Sequence, residues 1–274
     1  MSTVRLLFYL VLILSLFFMT LLSSMANSQK ITLKQSHLLP EQMGWFKTLE
    51  VQSAGALPIT LSVAILKQGH YRAKLYVQPA GSIDWVNEVV QQQRALIGIN
   101  AGYFMDNFKP NGLLMIAGKQ YSAMKYNRLL SALVIINQQK SIVLKVRRQG
   151  YRQAYSALQA GPIIVSNNKI AVKGNLRYHR RTVLAKADNG DLIILQSSVS
   201  NLYRLADVLV HHAAIFGVKK IITAVNCDGG SSSALMINNK EQPLYLSEAT
   251  PVKTMLLFKG MDGGGRVSVL YSNQ

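Results

Sequence analysis

Past its N-terminal apolar run, the chain alternates between two spacings of apolar residues. "ITLSVAILK" (59–67) and "YRAKLYVQ" (71–78) are strand-like and flank Gln68-Gly69-His70, which predicts a hairpin. In "SIDWVNEVVQQQRA", Ile83, Val86, Val89 and Val90 recur at helical spacing behind Ser82 as the N-cap. "LIGIN" (96–100) reads as a buried strand entering the loop "AGYFMDNFKPNG". "LLMIAGKQYS" supplies a strand and an Ala117-Gly118 turn, and "ALVIINQQKSIVLKVR" a further hairpin by alternation. "LQAGPIIVSNNKI" puts a Gly-Pro break before an apolar run. "RRTVLAKADNGDLIILQSS" is the clearest hairpin, turning at Asp188-Asn189-Gly190-Asp191. Leu202, Leu205, Ala206, Leu209, Ala213 and Phe216 then share one face of a helix that Gly217 can close, before the strand "IITAV". This order predicts an α+β fold: a single domain with a large mixed, mostly antiparallel sheet flanked by helices.

The N-terminus stands apart from that pattern. Arg5, an apolar run from Leu6 to Leu22 and the small-residue stretch Ser23-Ser24-Met25-Ala26 follow the order of an export signal. Cleavage after Ala26 is favoured. The run also approaches the roughly 17–25 residues that span a bilayer, so an uncleaved anchor competes. Residues 1–26 are thus signal peptide or membrane anchor, 27–58 a lead-in, and 59–274 the functional domain. The expected location is outside the cytoplasm, periplasmic or secreted, with membrane contact only through the N-terminal segment if it is retained.

Charge narrows the choice of partners. Thirty Lys and Arg stand against 12 Asp and Glu, a formal net charge of +18. No basic arm with interleaved aromatics accompanies it, so nucleic acid is disfavoured and an anionic substrate or surface preferred. One cysteine permits no internal disulfide, so the core must supply the stability. Nothing in the pattern bears on oligomeric state.

Three loops replace large side chains with glycine next to apolar runs: "GINAGYF" (98–104), "LQAGPIIV" (158–165) and "NCDGGSSSAL" (226–235). A fourth stretch, "YHRRT" (178–182), sets two arginines at a strand entry. Gly229 and Gly230 let backbone N–H groups converge, and Ser231, Ser232 and Ser233 add hydroxyls, which suits an anion nest. A plain turn with self-satisfied serines is the alternative. Asp228 beside such a nest favours a chemical task. Alternation points Cys227 to the opposite side, as a small core hydrophobe, against the rival reading of a thiol nucleophile. Among the acids, Asp106 and Asp228 lie in Gly-rich loops, while Asp84, Glu88 and Asp207 fall on helices and Asp188 and Asp191 in a turn. His211 and His212 read as solvated or edge residues late in the second helix. Metal-ligand spacing is absent, and neither metal nor cofactor is expected.

"NAGYF", "NGLLMIAGK", "LQAGPIIV", "RRTVLAKADNGDLIIL", a helix and "NCDGGSSSAL" together resemble the phosphodiester glycosidase family, its bacterial exported members above all. The resemblance runs from about Ile59 to Phe258 and implies hydrolysis between an anomeric carbon and a phosphate oxygen. By position it implies catalytic roles for Asp228, Asn100 and Arg181. Gly102, Tyr103, Gly161, Thr182, Gly229, Gly230, Ser231 and Ser232 would contact substrate. Asp228 would be the acid/base or would stabilise positive charge on the sugar, Arg181 would clamp the phosphodiester, and Asn100 would bond a sugar hydroxyl or the leaving phosphate. Ser231 departs from the family pattern, where a third Gly is usual, as do Met105 for Asp and Ala185 for Gly. The substrate implied is an anionic sugar phosphate or polysaccharide of the envelope. The alternative is a non-catalytic binder of anionic envelope polysaccharide.

Overall fold

The computed structural model describes residues 29–151, 154–174, 177–239 and 242–261, together with Ile13. The signal or anchor expected over 1–26 otherwise lies outside the described residues. Among these, no helix is long and apolar enough to cross a membrane.

The chain opens with β1 (Lys30–Leu38), β2 (Gly44–Ser53), β3 (Ala56–Leu66) and β4 (Tyr71–Val77), then α1 (Val86–Gln92). There follow β5 (Ile97–Asn100), β6 (Leu114–Ile116), β7 (Lys119–Ser122), β8 (Ala132–Ile136) and β9 (Ile142–Val146). Next come β10 (Ser156–Ala160), β11 (Ile163–Ser166), β12 (Lys169–Ile170), β13 (His179–Ala187) and β14 (Leu192–Ser200). The last elements are α2 (Leu202–His211), β15 (Ile221–Asn226), β16 (Leu235–Ile237), β17 (Leu244–Leu246) and β18 (Thr254–Gly260). The segment 27–58, read as a lead-in, supplies β1 and β2.

The strands form three sheets, not one. The first has eight strands in the order β1-β2-β3-β14-β13-β15-β11-β12. The second is β7-β6-β10-β8-β9 and the third β17-β16-β5-β18-β4. All strand pairings among the described residues are antiparallel. This overturns the α+β expectation of a large mixed sheet flanked by helices. Strands take 47 % of the described residues, and the two α-helices have seven and ten residues. The periodicity located most of the strands from β3 to β15, read none of β1, β2, β16, β17 and β18, and carries no information on which sheet each one joins.

The first hairpin expected from the sequence fails for that reason. β3 pairs with β2 and β14, whereas β4 pairs with β18, so Gln68-Gly69-His70 carries the chain from the first sheet to the third. α1 also starts later than expected: Trp85 is its N-cap, its N–H donating to the Glu88 carboxylate at 2.7 Å, while Ser82 bonds Gln78 and Asp84. α2 is capped by Asn201, whose side chain accepts the Arg204 N–H. It ends at His211, and a separate 3-10 turn carries Ala213 and Phe216 to Gly217.

Alternation sorts the first sheet's residues between two cores. Leu184, Leu192, Ile194 and Val225 face the main core, where they meet Ile97 and Ile99 of the third sheet and Val134 and Leu158 of the second. Val183, Ala185, Ile193 and Leu195 point the other way, onto Leu202, Leu205 and Leu209 of α2. Both faces are therefore buried, which explains why antiparallel strands such as "DLIILQSS" read as unbroken apolar runs.

The Gly-rich loops are the crossovers between sheets. Loop 101–113 leads from β5 in the third sheet to β6 in the second. Gly161-Pro162 leads from β10 in the second to β11 in the first, and residues 227–234 lead from β15 in the first to β16 in the third. Each departs from the C-terminal end of its strand, and hydrogen bonds tie the three together.

Candidate active site

Two buried asparagines do the tying. Asn100 closes β5 with no solvent exposure. Its Oδ1 accepts the Thr182 hydroxyl (2.6 Å) and the Ala234 N–H (3.0 Å), while its Nδ2 donates to the Asp228 carbonyl (2.6 Å). One side chain thus joins β5, β13 and the loop after β15. Asn226, at the end of β15, donates from Nδ2 to the Tyr103 hydroxyl (2.9 Å) and the Gly161 carbonyl (3.1 Å). The Tyr103 hydroxyl in turn donates to the Gly161 carbonyl at 2.7 Å. All three crossover loops meet in that cluster.

This frame sets Asp228 at the mouth of the junction, partly buried. Its Oδ1 accepts the Gly229 N–H at 2.8 Å, and the Ser232 hydroxyl also bonds it. Burial raises its pKa above the usual carboxylate range, and these two hydrogen bonds only partly oppose that shift. The first donor of the presumptive anion nest is therefore engaged by the protein's own carboxylate.

Arg181 approaches from β13. A Cβ placed on Gly229 would lie 3.1 Å from the Arg180 carbonyl oxygen, tighter than an ordinary contact, and 3.4 Å from Arg181 Nη1, so the guanidinium lies close against this backbone. Its Nη2 donates to the Arg177 carbonyl at 3.1 Å, and its Nε is buried without a partner. Burial lowers its pKa from the ordinary arginine value, with the neighbouring Tyr103 acting in the opposite sense. Tyr103 feels both charged groups. Burial first, then the Asp228 and Cys227 charges, push its pKa far above the ordinary phenol, while Arg181 pulls it back. The phenol stays neutral and donates to Gly161.

The predicted residues thus divide by exposure. Asp228, Arg181, Gly229, Gly230 and Ser231 reach the surface, and Tyr103 is partly buried beside them. Asn100, Gly102, Gly161, Thr182 and Ser232 are buried. Gly102 is held by Thr254, its N–H donating to the Thr254 hydroxyl at 3.0 Å. Asp106, the other acid of the Gly-rich loops, is exposed in loop 101–113. Cys227 lies in the main core with no exposure, and burial pushes its thiol up to about 12, so it is not a thiolate nucleophile at neutral pH. Asn226 was missed. Its signal is alternation: two positions before Asp228 on the same strand end, it faces the same side.

Two recesses adjoin the junction. One of about 450 Å3 is lined by Arg180, Ser62, Gln196, Ser197 and Tyr245, and Arg180 donates to the Ser233 carbonyl at 2.8 Å. The other, about 710 Å3, carries Arg128, Arg147 and Arg148 next to Pro162. Among the described residues no three His, Cys, Asp or Glu side chains gather. The site offers one carboxylate, one guanidinium and a set of hydrogen-bond donors, which suits an uncharged sugar carrying an anionic substituent.

No curated protein sequence matches the chain. Among solved structures, the catalytic domain of zebrafish N-acetylglucosamine-1-phosphodiester alpha-N-acetylglucosaminidase, auto-inhibited by its pro-peptide, superposes with a TM-score of 0.55 at 14 % identity, covering 85 % of this chain and 83 % of that one. A hypothetical protein from Synechocystis gives 0.56 at 12 %, covering 85 % and 68 %. A protein from Burkholderia pseudomallei K96243 named as exported gives 0.54 at 10 %, covering 88 % of each chain. At these identities the likeness shows a shared fold. The profile of the phosphodiester glycosidase family matches residues 93–259, more than half of the sequence and all three crossover loops. The chain therefore belongs to the phosphodiester glycosidase family.

Proposed function

We propose that this protein hydrolyses the bond between the anomeric carbon and the phosphate oxygen of a sugar-1-phosphodiester in an exported or envelope glycan. The observation that carries this reading is that Gly229 adjoins both charged groups: its N–H donates to Asp228 Oδ1 at 2.8 Å, and a Cβ on it would lie 3.4 Å from Arg181 Nη1. Arg181 neutralises the phosphodiester through its outward N–H groups. Asp228 takes the proton of a water that attacks the anomeric carbon. The carbon–oxygen bond then breaks and the phosphate monoester leaves with the electron pair. A phosphate ester departs readily, so one carboxylate suffices, and burial that raises its pKa makes it the stronger base. Asn100 and Asn226 position these groups from behind and do not touch substrate. The Arg128–Arg148 groove supports an aglycone that is itself anionic. The named export of one structural relative and the signal-like N-terminus support an extracytoplasmic setting.

The test is sugar release from a panel of sugar-1-phosphodiesters that includes the N-acetylglucosamine ester. Release that disappears in Asp228→Asn supports the reading. Retention of anionic polysaccharide with no release would replace it by the binding role.

A further inference from the structure

The seam between the second and third sheets has a second mouth. At the starts of β5 and β10, away from the Gly-rich junction, it opens into a cleft of about 560 Å3. The intervening strands have four and five residues, so the two mouths stand about 13–17 Å apart at ~3.3 Å per residue.

Five cations line this cleft: Arg72, Lys74, Arg94, Lys140 and Lys259, against one carboxylate, Glu41. The ion pairs among the described residues are Lys34–Glu50 and His211–Asp207, so none of the five is paired in this way. The apolar part of the wall is Leu96 and Ile116, both partly exposed, with Leu75 and Ile136 buried, and Lys140 Nζ lies over the Tyr155 ring, 2.6 Å from its centroid. Scattered surface lysines need no ligand. Five like charges line this cleft, Arg72, Lys74 and Lys259 on one face of the third sheet, and give it a positive field that an anion neutralises. The volume is that of a small-ligand site.

We infer that this cleft binds an amphiphilic anion: a phosphate head held by the rim cations, with a hydrocarbon or aromatic body on the partly exposed Leu96 and Ile116. Lys74 is already oriented, its Nζ donating to the Gln93 side chain at 2.8 Å. The inference does not depend on the hydrolase reading, because it concerns the other end of the seam and is read out by binding.

The experiment is calorimetric titration of the whole protein with dodecyl phosphate below its micelle concentration. Inorganic phosphate serves as the head-only probe and dodecyl maltoside as the tail-only probe. The expected result is one-site binding of dodecyl phosphate, at least tenfold tighter than either control. The double variant Lys74→Gln/Arg94→Gln changes two exposed side chains. It should weaken dodecyl phosphate at least tenfold while leaving the thermal midpoint and sugar release unchanged. Vesicles containing phosphatidylglycerol identify the source. Retention lost in the double variant points to a lipid headgroup; retention absent or unaltered, with the monomer affinity lost, points to a soluble organic phosphate. Undiminished dodecyl phosphate affinity in the double variant would place the anion elsewhere and overturn the inference. Equal binding of inorganic phosphate would overturn it too.

Discussion

The two mouths of the inter-sheet seam are built on opposite plans. At one, three chain crossovers converge and their polar groups bond each other, so that Asn100, Thr182 and Asn226 are buried yet hydrogen-bonded. At the other, the chain crosses once through Gln68-Gly69-His70, the space around Gly69 is open, and the polar groups are cations beside the apolar Leu96 and Ile116. The first is cross-linked by construction, because Asn226 holds Tyr103 and Gly161 while Asn100 holds β13 and loop 227–234, and such cross-linking is what would place a carboxylate and a guanidinium for chemistry. The second has cations with single, local contacts, Lys74 to Gln93, Arg72 to Met261 and Lys140 over Tyr155, which suits capture rather than catalysis.

The largest expected effect separates the mouths by function. Asp228→Asn should lower sugar release about 10³-fold, within the range for loss of a general acid/base, while the unfolding midpoint stays near wild type. Steady-state kinetics and thermal unfolding on the same preparation check this. Near-normal turnover would remove Asp228 from the chemistry and erase the contrast with the cationic cleft.

Next come substitutions that attack the lattice. Gly161 adopts φ +143°, and a Cβ there would sit 2.0 Å from the Leu129 carbonyl oxygen, so Gly161→Ala must displace backbone. A loss of about 3 kcal/mol in unfolding free energy is expected. Asn100→Ala leaves the Thr182 hydroxyl, the Ala234 N–H and the Asp228 carbonyl without that partner, for a loss of about 2–4 kcal/mol. A merely structural strut and a substrate contact differ in kinetics. As a strut, Asn100→Ala lowers kcat through a misplaced Asp228 more than it raises KM. At the opposite crossover Gly69→Ala meets only the φ of +80°, with nothing within 4 Å of the added methyl. Its expected loss is about 1 kcal/mol. Urea unfolding of the three variants compares the two ends directly, and a Gly69→Ala loss as large as that of Gly161→Ala would show that the crossovers are built alike.

The same contrast explains what could be read in advance. Glycine clusters mark backbone that must approach something closely, so all three crossover loops and Asp228 were legible as residue types. The fold class was not. Alternation in "ITLSVAILK" and "YRAKLYVQ" is the same whether the two strands pair with each other or, as here, with β2 and β14 and with β18. Sheet membership is decided by pairings far apart in sequence, such as Ile97 with Phe258, which no local window contains. The site's frame was hidden for a related reason: Asn100 and Thr182 look like ligand-binding residues in a motif, and only their burial shows that their partners lie within the protein. The cationic cleft was illegible because Arg72, Arg94, Lys140 and Lys259 are scattered along the chain and meet only after folding.

The smallest effect is a pH dependence confined to the ordered mouth. Burial raises the folded-state pKa of Asp228 above its ordinary value of 3.8. The folded state therefore binds this proton more tightly than the unfolded chain does. The resulting contribution to stability is fully present below about pH 3.8 and is lost as pH rises through the folded pKa. Asp228→Asn cannot titrate, so the difference in unfolding free energy between wild type and variant should shift in favour of the variant as pH rises from 3 through the raised folded pKa, then level off. Taking the difference cancels the other titrating groups of this +18 chain. The cleft variant Lys74→Gln/Arg94→Gln should track wild type across the same acid range, because it leaves Asp228 and its hydrogen bonds unchanged. A flat difference curve for Asp228→Asn would mean that the carboxylate is as well solvated as those exposed cations, and the two mouths would then differ in sequence but not in dielectric environment.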